Sequence, residues 1–168
     1  MLTYGINQLS ANAAKIEALV QDIPTGQARW KPDPQSWSVL EVINHLYDEE
    51  LEDFPQRLKH ILNQTAADWP PIDPQGWVAE RAYNERKLTP SLANFLETRQ
   101  KSIIWLKTLE TPDWQLSYEA PWGPITAGDM FAAWVAHDLL HLRQLVELLW
   151  AYNSKEVVPY TIRYAGDW

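Results

Sequence analysis

Residues 37–50 read WSVLEVINHLYDEE, and they carry the marks of a helix start. Ser38 is an N-cap residue. Glu41 follows three positions later, the spacing of a capping box, in which each side chain accepts from the other's backbone N–H. Trp37 before the cap and Val42 at the fourth helical position make the pair of a hydrophobic staple. Val42, Ile43, Leu46, Leu51, Phe54, Leu58, Ile61 and Leu62 then recur at helical spacing. Pro55 lies inside this run, which predicts a kink or short break there.

Outward from this element the same periodicity appears three more times. Ile6, Leu9, Ala13, Ile16, Leu19, Val20 and Ile23 give one apolar stripe over residues 3–23, ended by Pro24 and Gly26. A third helix is predicted from Thr89 as N-cap with Pro90 at its first position, its stripe running from Leu92 to Leu109. A fourth begins at Thr126, with Asp129 as capping partner and Ile125 and Met130 as staple, and runs to about Tyr152, where Asn153 suits a left-handed C-cap. Residues 63–88 form a long connection with Pro70, Pro71, Pro74 and Gly76, and a helical turn is expected near 78–85. Four such amphipathic helices predict an all-α four-helix bundle with long inter-helix loops and a short C-terminal tail. At most a short strand or hairpin is expected in the loops or tail. The long loops permit crossover connections as readily as tight turns, and residues 1–168 read as one domain.

Composition narrows the function. The chain has 168 residues, 46% of them hydrophobic, which suits a globular core. Its 14 basic against 22 acidic residues give a net charge of −8, a poor match to a phosphate backbone. With no cysteine, a disulfide framework, a Cys-ligated zinc and a Cys nucleophile are all excluded. No stretch approaches ~18 apolar residues, so no membrane span is expected. The opening MLTYGINQLS has neither a basic region nor an apolar core, so no signal peptide is expected and the location is read as cytoplasmic.

The informative residues are four histidines. His137 and His141 stand one helical turn apart, on the face that also holds Met130, Trp134, Leu145 and Leu148. His45 sits beside the stripe of the second helix. Three imidazoles thus converge on the bundle interior, and a His-x-x-x-His pair is a natural bidentate grip on a divalent cation. Buried as packing alone, three polar rings would each need a partner. His60, near the end of its helix beside Lys59, reads as solvated. The acidic run Asp48, Glu49, Glu50, Glu52 and Asp53 reads as a solvated helix face. Glu49 is the exception, one turn after His45 and able to orient the ring, act as a base or add a ligand. Asp138 is the other candidate base. The pair is HDLLH and not HExxH, and no nucleophile elbow or phosphate-binding glycine loop is present.

The segments WSVLEVINHLYDEE (37–50) and HDLLHLRQL (137–145), with the T-P-S-L start of the third helix and the TPDW turn after it, resemble the DinB-like superfamily. This damage-inducible group of bacterial metalloenzyme bundles includes the YfiT-like thiol transferases. The resemblance covers nearly the whole chain and implies an up-down-down-up bundle with a divalent metal on His45, His137 and His141. It also implies use of that site to activate a low-molecular-weight thiol or a water for transfer or isomerisation of a small-molecule substrate, and assembly as a homodimer. A non-catalytic metal- or ligand-binding bundle is the competing reading. Imidazole ligands favour Zn²⁺ or Ni²⁺, and three neutral histidines leave an open position. Binding is expected to weaken as pH falls through the imidazole range near ~6.5. Trp122, Trp134, Tyr164 and Trp168 are candidates to line the mouth of such a site, or else core and loop anchors.

Overall fold

The capping box at Ser38 forms as its spacing predicts: Ser38 Oγ accepts from the Glu41 N–H at 3.1 Å, and Glu41 Oε2 accepts from the Ser38 N–H at 2.7 Å. In the computed structural model, which describes residues 1–166, it starts helix α3 (Val39–Asp48), preceded by α1 (Leu2–Val20) and the short α2 (Thr25–Arg29). The predicted break at Pro55 is a π-helical turn, Glu49–Asp53, followed by α4 (Phe54–Leu62). The break precedes the proline because Pro55 donates no N–H and its ring crowds the turn before it. Helices α5 (Pro74–Glu80), α6 (Leu88–Leu106) and α7 (Ala127–Glu156) complete the set.

Several helix ends differ from the sequence reading, and α1 stops at Val20, three residues before Ile23. Helix α6 begins two residues early, with Lys87 as cap, so Pro90 sits inside the first turn, where N–H groups need no helical acceptor. Helix α7 passes Asn153, whose carbonyl accepts the Val157 N–H at 3.1 Å.

The fold is mostly helical but not strictly all-α. Strands β1 (Ser117–Ala120) and β2 (Gly123–Thr126) pair antiparallel about the Pro121–Trp122 turn, with Tyr118 opposite Ile125. Gly123 holds φ +122°, open to glycine and strained for other residues. The hairpin is fixed to the start of α7 by Ala127 N–H to Leu116 O (2.8 Å) and Gly128 N–H to Trp114 O (3.0 Å).

Two apolar clusters fill the interior. One joins Ala13, Ile16 and Val20 of α1 with Val39–Leu46 side chains of α3, Leu92 and Phe95 of α6, and Leu145 and Leu148 of α7. The other joins Ile6 and Leu9 with Leu58 and Ile61 of α4, Ile103 and Leu106 of α6, and Met130, Phe131 and Trp134 of α7. Both partners of each predicted staple share a cluster, Trp37 and Val42 the first and Ile125 and Met130 the second. Between the clusters lies a polar layer containing the π turn and both ligand candidates of α7. No helix among the described residues is long and apolar enough to cross a membrane.

Candidate metal centre

His45 from α3 and His137 and His141 from α7 meet in that layer. Their Nε2 atoms make the contacts: His45 to His137 at 3.3 Å and His141 to His137 at 3.1 Å. One nitrogen from each ring lies within 4.8 Å of the others, and Glu49 is not part of this group. Gln144 Oε1 lies 2.8 Å from His141 Nδ1. An amide oxygen accepts, so His141 carries its proton on Nδ1 and presents a bare Nε2 to the centre. Three converging nitrogens cannot all satisfy one another, since each contact can hold only one proton. A shared cation satisfies all three, so the residues present fit a metal ion.

Burial supports that reading. Desolvation, helped by repulsion from His141, pushes His45 down to about 3. The same burial with the neighbouring rings and Arg99 pushes His137 to about 2, and burial also lowers His141. The rings are therefore neutral, the form a metal takes. Proton competition moves below the ~6.5 expected of free imidazole. For stability the sign is fixed. A ring with a lowered folded value contributes fully above its ordinary 6.5, and that contribution is lost as pH falls towards the folded value. Glu49, pushed up to about 8 by burial and by Asp53, acts oppositely: its contribution is present at low pH and lost as pH rises from 4.5 through about 8. Urea unfolding of the metal-free protein should therefore show a shallower loss of stability between pH 6.5 and 4.5 in His137→Ala than in the wild type, by up to about 1.4 kcal/mol per pH unit. Equal slopes would mean that the ring titrates normally.

The acidic run is not a solvated face. Asp48, Glu49, Glu50 and Asp53 are all buried, Glu49 at 4% exposure and Glu50 at 2%, while the one apolar residue between them, Leu51, is exposed. The wide π turn lets the neighbours Glu49 and Glu50 both face inward. Each acid meets a polar neighbour. Asp48 takes Arg81 at 2.7 Å and the Tyr83 hydroxyl, and Asp53 takes Arg57 at 2.6 Å. Glu50 accepts from Arg99 at 2.8 Å and from the Trp134 indole at 3.1 Å. Glu49 Oε1 has no hydrogen bond and faces His45 Nδ1, also unbonded, at 3.8 Å.

One sequence signal for this was present: between Tyr47 and Phe54 the chain holds five acids and a single apolar residue, Leu51, so a helix continuing along the core must turn acids inward. Asp138 is not available as a base, because both its oxygens accept from Arg99 at 2.7 and 2.8 Å. His60 is not solvated either. It is half-buried edge-on to Tyr118 and Trp69, with Nε2 shut off from solvent and unbonded.

The triad opens into a cavity of about 880 Å³ whose walls include Trp37, Phe54, Glu49, Asp53, Gln75 and Leu140. Trp37 packs against His45 at 4.9 Å and Phe54 against His137 at 4.9 Å, counted between ring centres. These rings do what was expected of other aromatics. Trp134 is a core anchor, Trp122 stands exposed on the hairpin turn beside Trp69, and Tyr164 is fully exposed. Trp168 lies outside the described residues.

Comparison with known proteins agrees with the fold. The family model of the DinB superfamily matches residues 8–145. Among solved structures, the chain is similar to YfiT from Bacillus subtilis, described as a probable metal-dependent hydrolase with an unusual four-helix bundle topology. The two share 21% identity at a TM-score of 0.79, over 90% of this chain and 87% of that one. No curated protein matches the chain.

Proposed function

Because the chain belongs to the DinB superfamily and gathers three neutral imidazoles at the floor of an open cavity, we propose that it is a metal-dependent enzyme acting on a small molecule. His45, His137 and His141 hold one divalent ion, Zn²⁺ or Ni²⁺ by the preference of imidazole. The observation that carries the reading is the mutual approach of the three Nε2 atoms, at 3.1 and 3.3 Å, with no other partner able to satisfy all three. The sharing of core clusters supports the up-down-down-up order. The start of α1, the ends of α4 and α6 and the start of α7 occupy one cluster, and the opposite ends occupy the other.

A bound dication supplies Lewis acidity, which makes a thiol or a water easier to deprotonate. The protein does the rest. Gln144 fixes the His141 tautomer, a supporting contact of the kind that orients ligands. Trp37 and Phe54 wall the triad and exclude bulk water from two sides. Glu49 Oε1 faces His45 Nδ1, the ring nitrogen turned away from the triad, and is placed to orient that ring from behind.

We assign the nucleophile to a low-molecular-weight thiol, giving an S-transferase-like reaction; likeness to a probable hydrolase favours water as the second reading. Titrating a thiol into the Co²⁺-loaded protein separates them. Sulfur on cobalt produces an intense near-ultraviolet charge-transfer band, the expected result. A spectrum unmoved by thiols assigns the nucleophile to water.

A further inference from the structure

Helix α6 contributes no nitrogen to the triad, yet its Arg99 is buried where all four bundle helices meet. Arg99 Nε donates to Glu50 Oε2 at 2.8 Å, on the π turn that continues the His45 helix. Nη1 and Nη2 donate to Asp138 Oδ2 and Oδ1 at 2.7 and 2.8 Å, on α7. Nη1 also donates to the Leu9 carbonyl of α1 at 3.2 Å. The Trp134 indole, one turn before Asp138, donates to the same Glu50 oxygen at 3.1 Å, a second tie between α7 and the π turn.

We infer that Arg99 is a positioning residue of the metal centre, holding the two ligand-bearing helices in the rotation and separation at which their histidines meet. Asp138 follows His137 directly and precedes His141 by three residues. Fixing the Asp138 carboxylate in a two-pronged grip fixes the angle of α7 about its own axis, and with it the direction of both rings. Glu50 fixes the π turn in the same way, five residues beyond His45. A guanidinium suits this because its planar fork bonds three ways at once, which an ammonium cannot match in geometry. A role in stability alone is separable, because a buried ion network can be replaced by apolar side chains with little loss of stability.

The inference rests on the metal reading of His45, His137 and His141, and the test keeps the two apart. Co²⁺ is titrated into the wild type, into Arg99→Lys, and into the combined variant Arg99→Met, Glu50→Leu and Asp138→Leu, with affinity and visible d–d spectrum recorded beside thermal unfolding. The wild type should bind one Co²⁺. Arg99→Lys keeps the charge but not the fork, and should bind about 10–100-fold more weakly with altered band positions, the range for lost supporting contacts. The combined variant should unfold cooperatively and show the same loss. Wild-type affinity and spectrum in either variant that folds would overturn the positioning role. Failure of the wild type to bind Co²⁺ would overturn the metal reading itself, before any variant is made.

Discussion

Replacing His137 by alanine should abolish stoichiometric metal while leaving the bundle folded. His137 Nε2 is the central atom of the triad, in contact with both other rings. Its loss leaves two nitrogens from different helices and removes a true ligand. The fall in affinity should therefore exceed the ~10–100-fold typical of a lost supporting partner. His141→Ala and His45→Ala should behave alike. The fold survives because both apolar clusters remain intact and the lost ring is a polar group buried at a cost. His60→Ala is the control: the same side chain, half-buried against Tyr118 and Trp69, remote from the triad cavity. Metal content by mass spectrometry and affinity by chelator competition read the difference. Equal metal in all four variants would reduce the triad to packing.

The second large effect is on stability. Arg99→Met alone should destabilise the protein by about 3–5 kcal/mol, because it leaves Asp138 and Glu50 buried without their cation. For a domain of this size that is a fall in Tm on the order of 10 °C. Replacing all three charged residues by apolar ones should recover most of it, since no uncompensated charge then remains. Chemical denaturation of the single and combined variants measures both. A single variant as stable as the wild type would mean that water reaches the carboxylates.

Much of this was legible in the sequence where local rules act. Both capping boxes, at Ser38 and Thr126, form as their spacing demands. His45, His137 and His141 converge because an i, i+4 pair and one stripe position suffice to aim them inward. Pro55 marks a real break. What escaped was set by partners distant in the chain. Glu50 and Asp138 are buried because Arg99, from a third helix, neutralises them, and no local pattern reveals that pairing. The run Asp48–Asp53 resembled a solvated face since charge usually is solvated; the π turn that turns it inward has no simple sequence code. The hairpin at 117–126 is the short hairpin expected in a loop, but its place was not legible, because Pro121, Gly123 and Pro124 punctuate a tight turn as readily as an irregular loop. Trp37 and Phe54 were read as a staple and a stripe residue, and they also wall the site.

Everything proposed for this chain depends on three imidazoles holding one divalent ion with a position left open. X-ray absorption at the edge of the bound metal tests it most directly. The expected first shell holds three imidazole nitrogens, at ~2.0–2.1 Å for zinc, completed by exchangeable light atoms that a thiol or inhibitor can displace. A shell of carboxylate and water oxygens without imidazole scattering, or a purified protein that takes up no metal at all, would contradict it.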